Sequence, residues 1–207
     1  MGLRLYSTTY CPYAWATRIV LHEKGVPFEI CEVDLRNKPK EFLAVSPRGQ
    51  VPVLVDGDLC LTESMVIAEY LEEKYPEPNL LGRDAREHAL VRSALVDCLW
   101  VSSQPLAKLA AMLYYMRERT HPERVERALG RWHRYLDHLD RWFGEHRWLA
   151  LDRMTLADVH LFPMVAVSRA LGAAIGPRRP ALADWYQRMA DRPAVRRSIE
   201  EAAGAQR

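Results

Sequence analysis

Leu3-Arg4-Leu5-Tyr6-Ser7-Thr8-Thr9-Tyr10-Cys11-Pro12-Tyr13-Ala14-Trp15-Ala16-Thr17-Arg18-Ile19-Val20-Leu21-His22-Glu23-Lys24-Gly25 opens the chain after two residues. Leu3 to Ser7 reads as a short strand. Tyr13 to Lys24 reads as a helix with Ala16, Ile19 and Val20 on one face, stopped by Gly25. Between them stands Cys11, followed by Pro12, a residue suited to the first position of a helix. A sulfur at that junction faces unpaired backbone N–H groups and the positive end of the helix dipole. Both favour a thiolate, so the expectation is a Cys11 pKa below the free value of about 8.5. Cys31 and Cys60 sit inside strand patterns and Cys98 on a helical stripe, so these three read as small packing residues.

Outward from this stretch, strands and helices continue to alternate. Phe28 to Asp34 is a second strand, and a short helix follows around Lys40 to Ala44. Val53 to Val55 and Leu59 to Leu61 flank Asp56-Gly57-Asp58, a hairpin signal. Ser64, Ile67, Ala68, Leu71 and Tyr75 form one stripe of a helix, with Glu69, Glu72 and Glu73 on its other faces. The order β-α-β-α-β-β-α predicts a four-stranded mixed sheet covered by helices. Pro76-Glu77-Pro78-Asn79 and Gly82 mark a linker. The expected division is an α/β domain over 1–76, a linker over 77–84 and an all-α helical bundle over 85–207.

In the second part, Val91, Ala94, Leu95, Cys98 and Leu99 make one stripe, and Pro105 predicts a kink. Val125, Leu129, Trp132, Leu136, Leu139 and Phe143 form a packing seam. Thr155-Leu156-Ala157-Asp158 is a capping box opening a helix apolar on nearly every side, which places that helix at the bundle's centre. Ala181 to Asp191 and Ala194 to Ala203 are two further helices. Arginines 178, 179, 188, 192, 196 and 197 read as a solvated helix face.

The whole composition agrees with a globular chain. Of 207 residues, 49% are hydrophobic and 27% charged, which excludes a disordered or low-complexity protein. A net charge of +2 gives no argument for nucleic acid or an anionic membrane. Lys108, Arg117 and Arg169 interrupt the best candidates for a membrane span, so no membrane segment is expected. The first ten residues lack signal-peptide character, and the expected location is cytoplasmic. Four scattered cysteines without a Cys-x-x-Cys pair, and seven histidines without ligand spacing, predict neither a disulfide framework nor a metal site.

Two further features carry chemistry. Val51-Pro52 stands before the third strand, and on spacing alone Pro52 reads as an edge-strand proline. Glu63-Ser64 opens a helix, where Ser64 could cap the helix or help its N-terminus hold a carboxylate.

Cys11-Pro12-Tyr13-Ala14, Thr17-Arg18-Ile19-Val20-Leu21, Asn37-Lys38-Pro39, Ser46-Pro47-Arg48-Gly49-Gln50-Val51-Pro52-Val53-Leu54, Thr62-Glu63-Ser64 and Leu156-Ala157-Asp158 occur in this order. Together they resemble the cysteine-type cytosolic glutathione transferases. The omega class is nearest in pattern, then the bacterial beta class through Tyr6 and Cys11. The stringent-starvation proteins, which bind RNA polymerase, are also similar. The resemblance implies a thioredoxin-like first domain and an α-helical second domain. It also implies glutathione as co-substrate and a homodimer.

By the same resemblance Pro52 is cis and Val51 pairs with the cysteinyl backbone of glutathione. Glu63 and Ser64 hold its γ-glutamyl end, Lys38 faces its glycyl carboxylate, and Gln50 lines the groove. Tyr6 is read as support rather than as nucleophile. Tyr13, Gln104, Leu106, Met112 and Tyr114 are candidates for the second-substrate pocket. Cys11 is the expected nucleophile. With Ala14 where a second cysteine could stand, glutathione-dependent thiol transfer or reduction ranks above conjugation to electrophiles. A polymerase-binding role without catalysis is the remaining alternative.

Overall fold

Two residue patterns, one of period two and one of 3.6, account for the two units of the molecule. The computed structural model describes residues 2–115 and 121–204, excepting the side chains of 102–103, 114–115 and 202–204. The first unit contains β1 (Leu3–Ser7), α1 (Pro12–Glu23), β2 (Phe28–Glu32), α2 (Lys40–Val45), β3 (Val53–Asp56), β4 (Leu59–Thr62) and α3 (Ser64–Lys74). The strand order is β2-β1-β3-β4. β1 pairs parallel with β2, with Leu3 opposite Phe28, and antiparallel with β3, with Leu5 opposite Leu54. The β3–β4 hairpin turns at Gly57, whose φ of +65° is a conformation a side chain would resist.

Alternation assigns the two faces of the sheet. Tyr6 lies on one with Val53 and Val55, where Phe42 of α2 and Val33 complete a buried cluster. Leu3, Leu5 and Ser7 lie on the other, and α1 and α3 pack together and against the strands. β3 is an inner strand, so Pro52 is not an edge proline; the Val51–Pro52 bond is cis, as the resemblance implied. Cys60 is exposed rather than packed, because β4 is the edge strand.

Glu72 also departs from the expectation of an outward face. It is buried, its Oε1 pairs with Lys24 Nζ at 2.7 Å, and its Oε2 accepts the N–H groups of Leu80 and Leu81. These bonds hold the segment after α3 in the first unit, which runs to Leu81 and takes in the chain from Asp191 onward.

The expected bundle over 85–207 is therefore shorter at its end. Helix α9 (Pro193–Gly204) groups with the first unit because it packs on α1. Trp15 Nε1 donates to Ser198 Oγ at 2.8 Å, and His22 Nε2 meets Glu201 at 2.9 Å. Arg192 grips both oxygens of Glu23 at 2.6 and 2.8 Å, so this arginine is not part of a solvated face.

The second unit, Gly82–Ala190, holds α4 (Ala85–Asp97), α5 (Ser103–Ala110), α6 (Pro122–Glu145), α7 (Leu156–Ala170) and α8 (Pro180–Ala190). Asp84 caps α4 by accepting the N–H of Glu87 at 2.9 Å. Pro105 does not end the helical path. The chain widens into a π-helical turn over Cys98–Ser102, which includes Val101, the residue whose carbonyl Pro105 cannot bond. The α6 seam is centred on Ala128, Trp132, Tyr135, Leu136, Leu139 and Phe143, with Val125 and Leu129 only partly covered. Arg179 is buried against Asp137 at 2.8 Å and the carbonyls of Ile175 and His133, again not a solvated position.

Helix α7 is buried along most of its length, and its capping box is present. Asp158 does more than the motif required. Its Oδ2 accepts from Thr155 N at 3.0 Å and Thr155 Oγ1 at 3.1 Å. Its Oδ1 accepts from Leu149 N and Trp185 Nε1, both at 3.0 Å.

Burial pushes the Asp158 carboxyl up to about 6, against the pull of its donors. The folded state then holds this proton more tightly than the unfolded chain, whose Asp titrates near 3.9. Stability from this group therefore falls as pH rises from about 4 to about 6. Measured by urea unfolding, wild type should lose about 2–3 kcal/mol relative to Asp158→Asn between pH 4 and pH 7. A pH-independent difference between the two proteins would refute this.

Candidate active site

The loop after β1 is tethered before it reaches Cys11. Thr9 donates to Glu32 Oε1 through its N–H at 2.8 Å and its hydroxyl at 3.1 Å, tying the loop to the end of β2. Cys11 N–H bonds Thr8 O at 3.2 Å. Cys11 then takes extended angles (φ −89°, ψ 113°) as the N-cap of α1, and Pro12 begins the helix. No side chain caps this end. The half-buried thiol instead donates to the carbonyl of Val51 at 3.7 Å, joining the start of α1 to the residue before Pro52.

The expected fall in the Cys11 pKa is not what this environment produces. Burial pushes the thiol up, and this outweighs the downward pull of the Ala14 and Tyr13 N–H groups and of the Arg18 charge. The helix N-terminus acts as anticipated, but desolvation of the sulfur is the larger effect.

The loop over 46–50 is closed on itself. Ser46 Oγ donates to Gln50 O at 2.9 Å and accepts Gln50 N–H at 3.0 Å, while Gly49 N–H bonds Ser46 O at 2.7 Å. Gly49 has a φ of +61°, and a Cβ there would stand 2.9 Å from Lys38 Nζ. The glycine thus lets the exposed Lys38 side chain lie across the loop. Gln50 is exposed and Pro52 buried.

At the end of β4, Glu63 is the one described non-glycine residue with positive φ, at 69°. It precedes α3 without capping it, so the first N–H groups of α3 have no side-chain acceptor. Ser64, 5% exposed, lies at that end. The arrangement suits a ligand carboxylate, which the N–H groups and the Ser64 hydroxyl can both bond. The exposed Glu63 carboxylate suits an ammonium, and Arg48 Nη2 is paired with it here.

The pocket candidates separate by unit. Tyr13 is half-buried on the first turn of α1. In the second unit Gln104 is exposed, Leu106 is buried and Met112 half-buried, while the Tyr114 side chain lies outside the described residues. The sequence reading singled out neither Arg48, which pairs with Glu63, nor the buried Arg18. Arg18 is 1% exposed, and the signal for it was a charge standing beside Ile19 and Val20 within an apolar helix.

Comparisons with known proteins cover both units. Residues 5–79 match the model of the glutathione S-transferase N-terminal domain, and residues 104–193 that of its C-terminal domain. Glutathione S-transferase 1 of Dianthus caryophyllus is 35% identical over 171 residues, 80% of this chain and 77% of that protein. Maleylacetoacetate isomerase of Pseudomonas aeruginosa is 34% identical over 194 residues, 88% of this chain and 90% of that one. Glutathione S-transferase omega-1 of Rattus norvegicus is 45% identical over 89 residues, 42% of this chain and 36% of the relative. A four-stranded mixed sheet whose inner strand follows a cis proline, a helical second unit, and matches that run through both place this chain in the glutathione S-transferase family.

Proposed function

We propose that the protein is a cysteine-type glutathione transferase that carries out thiol transfer, reducing a mixed disulfide at the expense of glutathione. One observation carries the reading: a single half-buried thiol, Cys11, stands at the start of α1, and the position three residues on is the fully buried Ala14. No second sulfur in this loop can close a disulfide on Cys11. The similarity to an omega-1 transferase over 89 residues adds support.

Cys11, as thiolate, attacks the glutathione sulfur of a mixed disulfide. The new bond joins Cys11 to glutathione, and the other thiolate leaves and takes up a proton. Cys11 is freed when the thiolate of a second glutathione displaces it, giving oxidised glutathione and the Cys11 thiolate. The sum is one disulfide and one thiol exchanged for another disulfide and thiol, with no outside oxidant. Val51 presents its backbone to the tripeptide, Ser64 and the α3 N–H groups take the γ-glutamyl carboxylate, Glu63 takes its ammonium, and Lys38 and Gln50 line the glycyl end.

The isomerase relative favours a second reading, in which bound glutathione itself adds to an electrophilic carbon and Cys11 is not required.

Titration calorimetry with glutathione tests the site. Ser64→Ala should weaken binding by about 1–3 kcal/mol, the scale of a charge-assisted bond at a buried hydroxyl. Lys38→Ala should cost only about 0.5–1 kcal/mol, since that ammonium is solvated. Wild-type protein that binds no glutathione would sink the proposal.

A further inference from the structure

We propose that Arg18 is a positioning residue for Cys11, its buried guanidinium supplying the positive charge that favours the sulfur anion when it forms, against the opposing effect of burial. Arg18 is 1% exposed, and neither its Nε nor its Nη2 has a hydrogen-bond partner. Leaving two guanidinium nitrogens buried and unpaired is costly, and the packing of α1 gains nothing from them. A side chain kept in this state calls for a charge to act upon.

Helix geometry identifies that charge. Arg18 follows Cys11 by seven residues, about 20° short of two full turns, so the two share one face of α1 about 10 Å apart along its axis. Side chains on a helix lean toward its N-terminus, which carries the long Arg18 stem toward Cys11. Ala14, the i+3 residue of that strip, offers only a methyl group in between. The charged groups facing Arg18 come from three elements: Cys11 ahead of its own helix, Glu32 at the end of β2, and Glu201 on α9.

Both acids also have other partners, and both act on the Arg18 charge more strongly than Cys11 does. Glu32 accepts from Thr9, and Glu201 pairs with His22 at 2.9 Å and Arg197 at 3.6 Å. Ser7, register partner of Glu32, also keeps a buried hydroxyl without a partner. Burial pulls the Arg18 guanidinium down and the charges of Glu32, Glu201 and Cys11 pull it up, while Arg18 in turn draws the Cys11 thiol down.

The consequence concerns Cys11 in both directions. A thiolate stabilised by Arg18 is more abundant as attacking group, and it is also a better leaving group when a Cys11 disulfide is opened. The inference rests on Cys11 being the reactive thiol, and it does not depend on the partner being glutathione.

The test is alkylation of the full-length protein by iodoacetamide between pH 6 and pH 11, read residue by residue by mass spectrometry of the digest. Exposed Cys60 serves as internal control. Arg18→Gln and Arg18→Met should each slow Cys11 about tenfold at pH 7 and raise the midpoint of its profile by about one pH unit. Cys60 should not change. Arg18→Lys, which keeps the charge, should stay within about threefold of wild type. Folding of each variant is followed by thermal melting. A folded Gln or Met variant with the wild-type Cys11 profile would overturn the proposal, as would a lysine variant that behaves like the neutral ones. Because no glutathione is added, failure of glutathione binding leaves this result readable on its own.

Discussion

Replacing Cys11 by Ala or Ser should lower thioltransferase activity on a glutathione mixed disulfide by at least about 10³-fold, the scale on which enzymes lose their nucleophile. Serine keeps nearly the shape of cysteine and one hydrogen-bond donor, although an O–H donor needs a shorter contact to the Val51 carbonyl than the 3.7 Å at which the thiol now sits. It cannot form or leave as a stable anion at neutral pH. Fold and glutathione affinity should therefore survive in Cys11→Ser while turnover does not. Conjugation of glutathione to an electrophilic aromatic compound should persist or rise in both variants, because that reaction uses the sulfur of glutathione.

The wild-type pH profile adds a second readout of the same site. With burial holding the Cys11 thiol above its ordinary value, the first step should still be gaining rate past neutral pH rather than levelling off below it. Assays of wild type and the two variants on both substrates, across pH, decide the matter. Full thioltransferase activity in Cys11→Ala would remove Cys11 from the mechanism.

The strand–Cys11–Pro12–helix junction was legible because each residue type has a local reason to stand there. So were the hairpin at Asp56-Gly57-Asp58 and the Thr155–Asp158 box, which are local patterns too. The direction of the Cys11 pKa was not legible. It depends on how much water the fold removes from the sulfur, and the fold brings in residues as distant in sequence as Val51, forty positions away. Arg179 and Arg192 looked solvated because an arginine carries no mark of its partner; Asp137 and Glu23 are found only once the helices pack. α9 was assigned with the bundle for the same reason, since its link to α1 runs through single side chains such as Trp15 and Ser198.

Glu72 is the strongest case of a charge whose setting the sequence concealed, and removing it should cost more stability than any other single exposed-looking residue of α3. Its side chain is 4% exposed and that of Lys24 0%. Lys24 Nζ also donates to Pro78 O at 2.7 Å, so the pair joins the end of α1, α3 and the segment from Pro78 to Leu81. Glu72→Ala leaves a buried ammonium without its counter-ion and two backbone N–H groups without an acceptor. The expected loss is about 3–5 kcal/mol, measured by urea unfolding.

Removing both charges separates the two roles of Glu72. If the ion pair were the whole of it, Lys24→Met combined with Glu72→Leu would recover most of the loss, since buried pairs are often replaceable by apolar side chains. Here the N–H groups of Leu80 and Leu81 would still be stranded, at about 1–3 kcal/mol each if they stay buried. The Met/Leu double variant should therefore remain clearly destabilised. Lys24→Met with Glu72→Gln should do better, because the amide oxygen can accept both N–H groups with no charge left to neutralise. If Met/Leu proves as stable as Met/Gln, the backbone bonds of Glu72 contribute nothing, and the pairing with Lys24 alone explains why this glutamate is buried.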